Sequence, residues 1–385
     1  MSASGHNSGA GAVHTLRTVV TVSALLLIFL GGVGGMGDGF ELLGQDVLEG
    51  FFAATSNPLM ALMVGLLATT LVQSSSVTTS MVVGLVAAPD NPLPLANAVP
   101  MVMGANIGTT VTNTLVSLAH IGRKDEFKRA FGVATCHDFF NFLSVAVLLP
   151  IEIATGVLQH TAEQITAVVG PSGGVTYSSP LKGLLALVMA PANALAEALF
   201  VSPVGQGAML IIASALMIFY ALAMLVRTLR GAMSGRAHGM IQAALGRHGV
   251  ISILLGMLIT MAVQSSSITT SLLVPLGGAG VITVEQAFPV TLGANLGTTI
   301  TAMLASLATS GANAQAGVTI AIVHVLFNLA GTLIFYPIRA LRMIPIRAAQ
   351  RLAGVAAESR KWAIAYVVVL FYVLPGIFAL IAHYL

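Results

Sequence analysis

The chain has 385 residues, 56% of them apolar and 8% charged, with a mean hydropathy of +0.94. A water-soluble globule carries about 25% charged residues, so this composition excludes that class and specifies a polytopic membrane protein. A net charge of +3 and an isoelectric point near 9.2 would suggest nucleic acid for a soluble protein, but in a membrane protein Lys and Arg report topology, and no nucleic-acid partner is implied.

Residues 1–15 are rich in Ser, Gly and Ala and read as a disordered cytoplasmic tail. Arg17 precedes the apolar run Val19–Leu30, which has the length of a signal-peptide core but is followed by further membrane sequence without a clear cleavage site, so it reads as a retained helix. Gly31–Gly50 carries Asp38, Glu41, Asp46 and Glu49 and no Lys or Arg, which places it outside. The one cysteine, Cys136, cannot form an intrachain disulfide.

Pro58–Pro89 holds the polar string Gln73-Ser74-Ser75-Ser76 near its middle. Its two arms would be helices of roughly 20 Å, short of a bilayer core about 30 Å thick, so a re-entrant hairpin with its tip at mid-membrane is expected. Uncharged polar groups at that depth are costly unless they bind something or satisfy one another. Leu95–His120 contains Gly-Ala-Asn-Ile-Gly-Thr-Thr from Gly104 to Thr110, where the glycines weaken a helix and Asn and Thr supply polar atoms, so a spanning helix broken near its centre is expected.

The loop Gly122–Arg129, with Arg123, Lys124, Lys128 and Arg129, is cytoplasmic on this reading, and Ala130–Pro150 returns outside. Ile151–Ser179 carries Glu152 and Glu163 without Lys or Arg. Leu181–Phe200 contains Lys182, Pro191, Asn193 and Glu197; a full span there would reverse the orientation of every later segment, so it reads as an interfacial or re-entrant piece.

The same signals then recur. Val72–Ser80 reads VQSSSVTTS and Val263–Ser271 reads VQSSSITTS; Gly104–Ala119 matches Gly293–Ala308 at eleven of sixteen positions; His137, Asn141 and Pro150 answer to His324, Asn328 and Pro337. The offset drifts from 191 to 189 to 187, as in a duplication with small loop deletions. Loop charge reverses between the copies. Ala208–Val226 leads into Arg227, Arg230, Arg236 and Arg247 where the first copy has an acidic loop; Thr309–Gly317 is uncharged where the first has four basic residues; Arg339–Lys361 is Arg-rich where the first closes with acids. These are the marks of inverted-topology repeats, which place a midplane site between two halves.

The expected fold is an all-α polytopic membrane protein of two inverted repeats, each with a re-entrant helical hairpin and a broken transmembrane helix. Its divisions are the tail 1–15, repeat one 16–153, an extracytoplasmic or interfacial linker 154–207, repeat two 208–340, and a basic cytoplasmic loop with a final helix, 341–385.

From Asn57 to Ala119 the only ionisable residue is Asp90, and from Ile251 to Ala308 the only one is Glu285. Such a neutral centre can hold alkali cations through oxygen ligands, and an anion through hydroxyl donors and half-helix N-termini. An anion bound there without Lys or Arg lacks neutralising charge; co-bound sodium supplies it and makes the two bindings mutually dependent. The P-loop lysine and a nucleophile elbow are both missing, so no enzyme is expected, and no cofactor beyond the coupling ions. His137-Asp138 lies within a span, where an ionisable residue is functional by default. Asn141 and its mate Asn328 are expected to face the site, and His324 to be a packed, satisfied histidine.

On these residues the chain resembles the type II sodium-dependent phosphate cotransporters, over roughly Gly37–Ile153 and Ala208–Pro337. The run from Glu126, EFKRAFGVATCHDFFNFLSVAVLLPIEIAT, is similar to the first-repeat helix of that family. The resemblance implies electrogenic, sodium-driven uptake of inorganic phosphate in its divalent form, by alternating access, in a bacterial inner membrane with the N-terminus inside. Its implied phosphate contacts are Gln73, Ser74, Ser75, Ser76, Gln264, Ser265, Ser266, Ser267, Asn106, Asn295, Thr109 and Thr298. Its implied sodium contacts are Thr79, Thr110, Thr114, Asp138, Asn141, Thr270, Thr299 and Asn328. Asp138 stands where electrogenic members carry an aspartate tied to an additional sodium ion. The chain departs from animal members at His120 and Arg123, where they carry Gln and Asp, and in a shorter middle region without their cysteine pair. Phosphate, Na+ and the lipid bilayer are the expected partners, with a homodimer left open; another oxyanion such as arsenate or sulfate, or phosphate export, is the alternative cargo reading.

Overall fold

The computed structural model describes residues 16–32, 35, 38–39, 42, 57–88, 92–169, 180–232, 249–307 and 313–384. The tail, most of the acidic segment after the first helix, Asp90, Arg236, Arg247 and much of the Thr309–Gly317 loop lie outside them.

The described residues are helical nearly throughout, because a chain surrounded by hydrocarbon must satisfy its backbone within each segment. After α1 (Leu16–Gly32), a pair of short helices forms the first hairpin, α2 (Pro58–Val72) and α3 (Ser75–Val86). Asn57 starts α2 by accepting the Met60 N–H at 3.0 Å, with Pro58 in the first turn where its missing N–H does no harm. Gln73 ends α2 in a left-handed conformation, and Ser74 starts α3 by accepting the Val77 N–H at 3.3 Å. Next come α4 (Leu95–Thr109) and α5 (Val111–Leu118), and then the 32-residue α6 (Lys124–Thr155), which opens on Asp125 and Glu126 and ends at Gly156 with φ 62°.

Helices α7 (Val157–Val169), α8 (Pro180–Leu199) and α9 (Pro203–Ala232) come next in the chain, and with α9 the second set begins. Its hairpin is α10 (Gly249–Val263), α11 (Ser266–Ser271) and α12 (Leu273–Gly278), with Gln264 left-handed and Ser265 capping through the Ile268 N–H at 3.3 Å. Then come α13 (Val284–Leu307) and α14 (Ala314–Phe335). The amphipathic α15 (Arg339–Glu358) leads into α16 (Arg360–Val368), a π-helical turn (Val369–Val373) and α17 (Leu374–Tyr384). Pro375, which has no N–H to give, lies just past the π turn.

The hairpins pack by the same device in both copies. A Cβ on Gly104 would strike the Leu62 carbonyl, and one on Gly65 the Met101 carbonyl, so α2 and α4 approach backbone to backbone. Gly293 meets the Ile253 carbonyl and Gly256 the Val290 carbonyl in the same way between α10 and α13. Small residues at the crossing are what permits such closeness between membrane helices.

The first long helix breaks at Thr110, as its sequence predicts. The second does not: α13 runs unbroken for 24 residues, and the interruption falls in the hairpin arm at Leu272. Pro275 accounts for the interruption in the arm, since it cannot bond the Ser271 carbonyl one turn back. The stretch 154–207, expected as a linker, holds two substantial helices. Helix α7 packs on α14, with Thr166 and Thr319 hydroxyls 3.1 Å apart, while Leu158 and Ala162 join the main core.

Among the described residues, five helices are long and apolar enough to cross a membrane: Lys124–Thr155, Pro203–Ala221, Val284–Leu307, Ala314–Phe335 and Arg360–Phe378. Large apolar side chains such as Leu216, Leu258 and Leu333 stand exposed, an outer surface suited to lipid. The molecule is an all-α membrane protein.

Candidate functional site

The two polar strings meet. Ser76 Oγ donates to the Gln264 carbonyl at 3.3 Å, and around this contact lies a cavity of about 370 Å³. Gln73, Ser74 and Ser76 line it from one hairpin, and Gln264, Ser265 and Ser267 from the other. Asp38, beyond α1, and Asn193 of α8 complete the polar wall. The volume falls in the range of small-molecule sites. A cavity of about 390 Å³, lined by Glu285, Tyr336, Arg339 and Arg342, lies apart from these motifs.

The local sequence explains the wall. A left-handed Gln turns the chain sharply, and the Ser after it caps the next helix, so each hairpin tip delivers side chains rather than a continuing helix to the cavity. Gln73 is fixed further: its Oε1 accepts the Thr112 hydroxyl at 2.8 Å and its amide donates to the Thr70 carbonyl. Ser75 and Ser266 do not line the cavity. Both are buried, and their carbonyls accept the Thr79 and Thr270 hydroxyls, each at 2.7 Å.

Behind the tips a second group of residues joins the copies. His137 Nε2 donates to Asn295 Oδ1 at 2.7 Å, and the Asn295 amide donates to Asn141 Oδ1 at 2.7 Å. The Asn141 amide continues to the Asn106 carbonyl at 2.7 Å. On the other side of the imidazole, Asn113 Nδ2 donates to Nδ1 at 3.4 Å. Asn113 Oδ1 accepts from Ser271 at 3.1 Å and lies 2.9 Å from the Thr270 hydroxyl, whose single proton is also within reach of the Ser266 carbonyl. Helix α6 is thereby tied to α4 and α13 directly, and to α11 through Asn113. All of these side chains are buried, so each bond is costly to leave unmade.

Asp138 forms a third group. Its Oδ2 accepts from Thr114 at 3.0 Å and from Tyr366 of α16 at 2.8 Å, while Oδ1 has no partner in the protein. The remaining residues implied for sodium or phosphate turn mostly to their own helices. Thr109 and Thr298 bond the carbonyl one turn back, at 2.9 and 3.0 Å, and Thr110 and Thr299 bond the Ile107 and Leu296 carbonyls at 2.8 and 2.7 Å. The Asn106 amide turns to Val102, and the Asn328 amide to the His324 carbonyl. Asn328 Oδ1 and both His324 ring nitrogens have no protein partner, so His324 is buried as expected but not satisfied.

His120 and Arg123 converge on Glu126, Arg123 at 2.9 Å and His120 at 3.7 Å, an ion-pair cluster at the start of α6. Four residues of these groups escaped the sequence reading: Asp38, Asn193, Asn113 and Tyr366. One signal for Asn113 was available, since its mate in the second copy is Ala302.

The model of the Na+/Pi-cotransporter family matches residues 28–168 and 217–345. Human sodium-dependent phosphate transport protein 2B is 32% identical over 93% of this chain, and the sheep and rat sodium-dependent phosphate transport proteins 2A are each 34% identical over 94% of it. The chain spans 64% of the length of the first and 67% of the other two. No solved structure matches. By its two matched segments and the identity it shares with these transporters, the chain belongs to the Na+/Pi-cotransporter family.

Proposed function

We propose that this protein is a secondary active transporter that couples inward sodium movement to uptake of inorganic phosphate, by alternating access at the cavity between the two hairpin tips. The observation that carries the reading is the meeting of both Gln-Ser-Ser-Ser strings at one cavity whose wall offers hydroxyls, amides and one carboxylate. Those groups suit sodium, and the serines suit phosphate oxygens, but no lysine or arginine lines the wall among the described residues. Sodium therefore completes the positive field that phosphate needs, and the loaded assembly then exposes the cavity to the inside.

The geometry supports an orientation as well. A neighbouring cavity of about 360 Å³ shares Asp38 and Asn193 with the first and continues to Glu197 and Gln206; Asp38 belongs to the acidic segment read as outside, and the others to the stretch read as extracytoplasmic or interfacial. On the side of the basic loops, Arg129 donates twice to the Gly278 carbonyl, at 3.1 and 2.8 Å, fastening the end of the second hairpin to α6. This is an outward-facing arrangement, with the N-terminus and the basic loops in the cytoplasm of a bacterial cell and the two repeats inverted across the membrane. Asp138 binds a further sodium ion and makes the cycle electrogenic, with divalent phosphate as the carried form.

The test is radiolabelled phosphate uptake into proteoliposomes under a sodium gradient, against an equal potassium gradient, at clamped membrane potential. Uptake with sodium alone, increased by an inside-negative potential, is the expected result. Uptake indifferent to sodium in folded protein would overturn the proposal, and competition by arsenate or sulfate would measure the selectivity for phosphate.

A further inference from the structure

Asp138 has no counterpart in the second copy, where Val325 takes its place. Of its two protein donors, Thr114 lies within the first copy and the other comes from outside both. Tyr366 lies on α16, beyond the last residue of the matched family segments, and its hydroxyl donates to Asp138 Oδ2 at 2.8 Å. The phenol ring is held from three sides. Phe131 and Phe139 of α6 lie at centroid distances of 6.2 and 6.5 Å, and Phe371 of the π turn at 5.9 Å.

We propose that Tyr366 is a positioning residue for a sodium ion at Asp138. With Thr114 and Tyr366 both bonded to Oδ2, the carboxylate cannot rotate freely, and Oδ1 stays unpartnered in a fully buried position. A buried carboxylate with one open oxygen either takes up a proton or is held in its charged form by a cation, and the sodium reading takes the second course. The phenol thus decides which oxygen meets the ion, and the final helix, although outside both repeats, becomes part of the coupling machinery. This inference rests on the sodium reading of Asp138.

Tyr366→Phe removes the hydroxyl and keeps the ring packing. In reconstituted protein, the variant should require about tenfold more sodium for half-maximal phosphate-induced current, the scale of a lost hydrogen bond to a charged group. The voltage midpoint of sodium charge movement without phosphate should shift, while the phosphate KM at saturating sodium stays unchanged. A wild-type sodium requirement in Tyr366→Phe would overturn the role of Tyr366 and leave the Asp138 reading standing. Asp138→Asn is measured alongside: retention of its full charge movement would overturn the sodium reading itself, and Tyr366 with it. Adding Tyr366→Phe to Asp138→Asn should change the sodium requirement no further; a further change would mean that the phenol does not act through Asp138.

Discussion

Gln73 and Gln264 share one backbone conformation, with φ of 56° and 55°, and they are the only non-glycine residues with positive φ among those described. A left-handed backbone costs an ordinary residue about 1–2 kcal/mol, and here it occurs twice at matching places, on the wall of the same cavity. Strain of this kind persists where a side chain is needed that glycine cannot supply.

Replacing Gln264 with Gly should therefore raise resistance to unfolding by about 1 kcal/mol while abolishing uptake. Gln73→Gly should gain less or nothing, because it strands the buried Thr112 hydroxyl and the Thr70 carbonyl. Thermal unfolding and phosphate uptake on the two purified variants check both statements.

Ser74→Ala and Ser265→Ala should sharply reduce uptake with the fold retained, since each removes a hydroxyl from the cavity wall at a cost of about 1 kcal/mol for the lost helix cap. Ser267→Ala, on the cavity wall, should raise the phosphate KM. Wild-type uptake kinetics in all three would remove the serine strings from the site.

Gly104→Ala and Gly293→Ala should each destabilise the protein by about 1–3 kcal/mol or more, because the added methyl meets a backbone carbonyl that has nowhere to retreat. Gly84→Ala and Gly354→Ala, with nothing within 4 Å of the added carbon, serve as controls and should be neutral or slightly stabilising. Unfolding temperatures in one detergent separate the two classes.

Asn113→Ala places in the first copy what the second already has at Ala302, so the chain should fold. It should lose about 1–3 kcal/mol through the unpaired Ser271 hydroxyl and the uncovered His137 Nδ1. Because Thr270 loses a neighbour too, the sodium concentration for half-maximal uptake should rise. Unfolding and sodium titration of uptake are the measurements.

Asp138→Gly should remove net charge movement while leaving some electroneutral uptake. Voltage dependence of uptake under a clamped potential is the readout, and an equally electrogenic variant would take Asp138 out of the coupling.

The hairpins were legible because three independent signals agreed on them: arm length, a polar string in apolar surroundings, and a second copy of both. The break at Thr110 is expected from the glycines and the Asn and Thr residues, yet the same motif in the second copy lies in an unbroken helix, so that local pattern does not decide it. The interruption in the second hairpin arm has a local signal in Pro275, but the unbroken run of α13 has none. Asp38, Asn193 and Tyr366 were hidden for another reason. Asn193 and Tyr366 lie on elements without a repeat mate, and the place of all three beside the cavity or beside Asp138 depends on long-range packing that no local pattern encodes. The histidines show the same limit. His137 and His324 occupy equivalent positions, yet one finds Asn295 and Asn113 and the other no protein partner, a difference settled by neighbours remote in the chain.

The wall of the central cavity carries a carboxylate and no fixed positive charge among its described residues. On the proposed reading, phosphate arriving alone finds serine donors but no positive charge to offset its own, and a carboxylate that repels it. The same charge balance that couples the two ions would then also hold back phosphate when sodium is missing, in addition to the alternation of the site between the two sides. A fixed arginine would have made the site grip phosphate more tightly, and it would also have opened a leak.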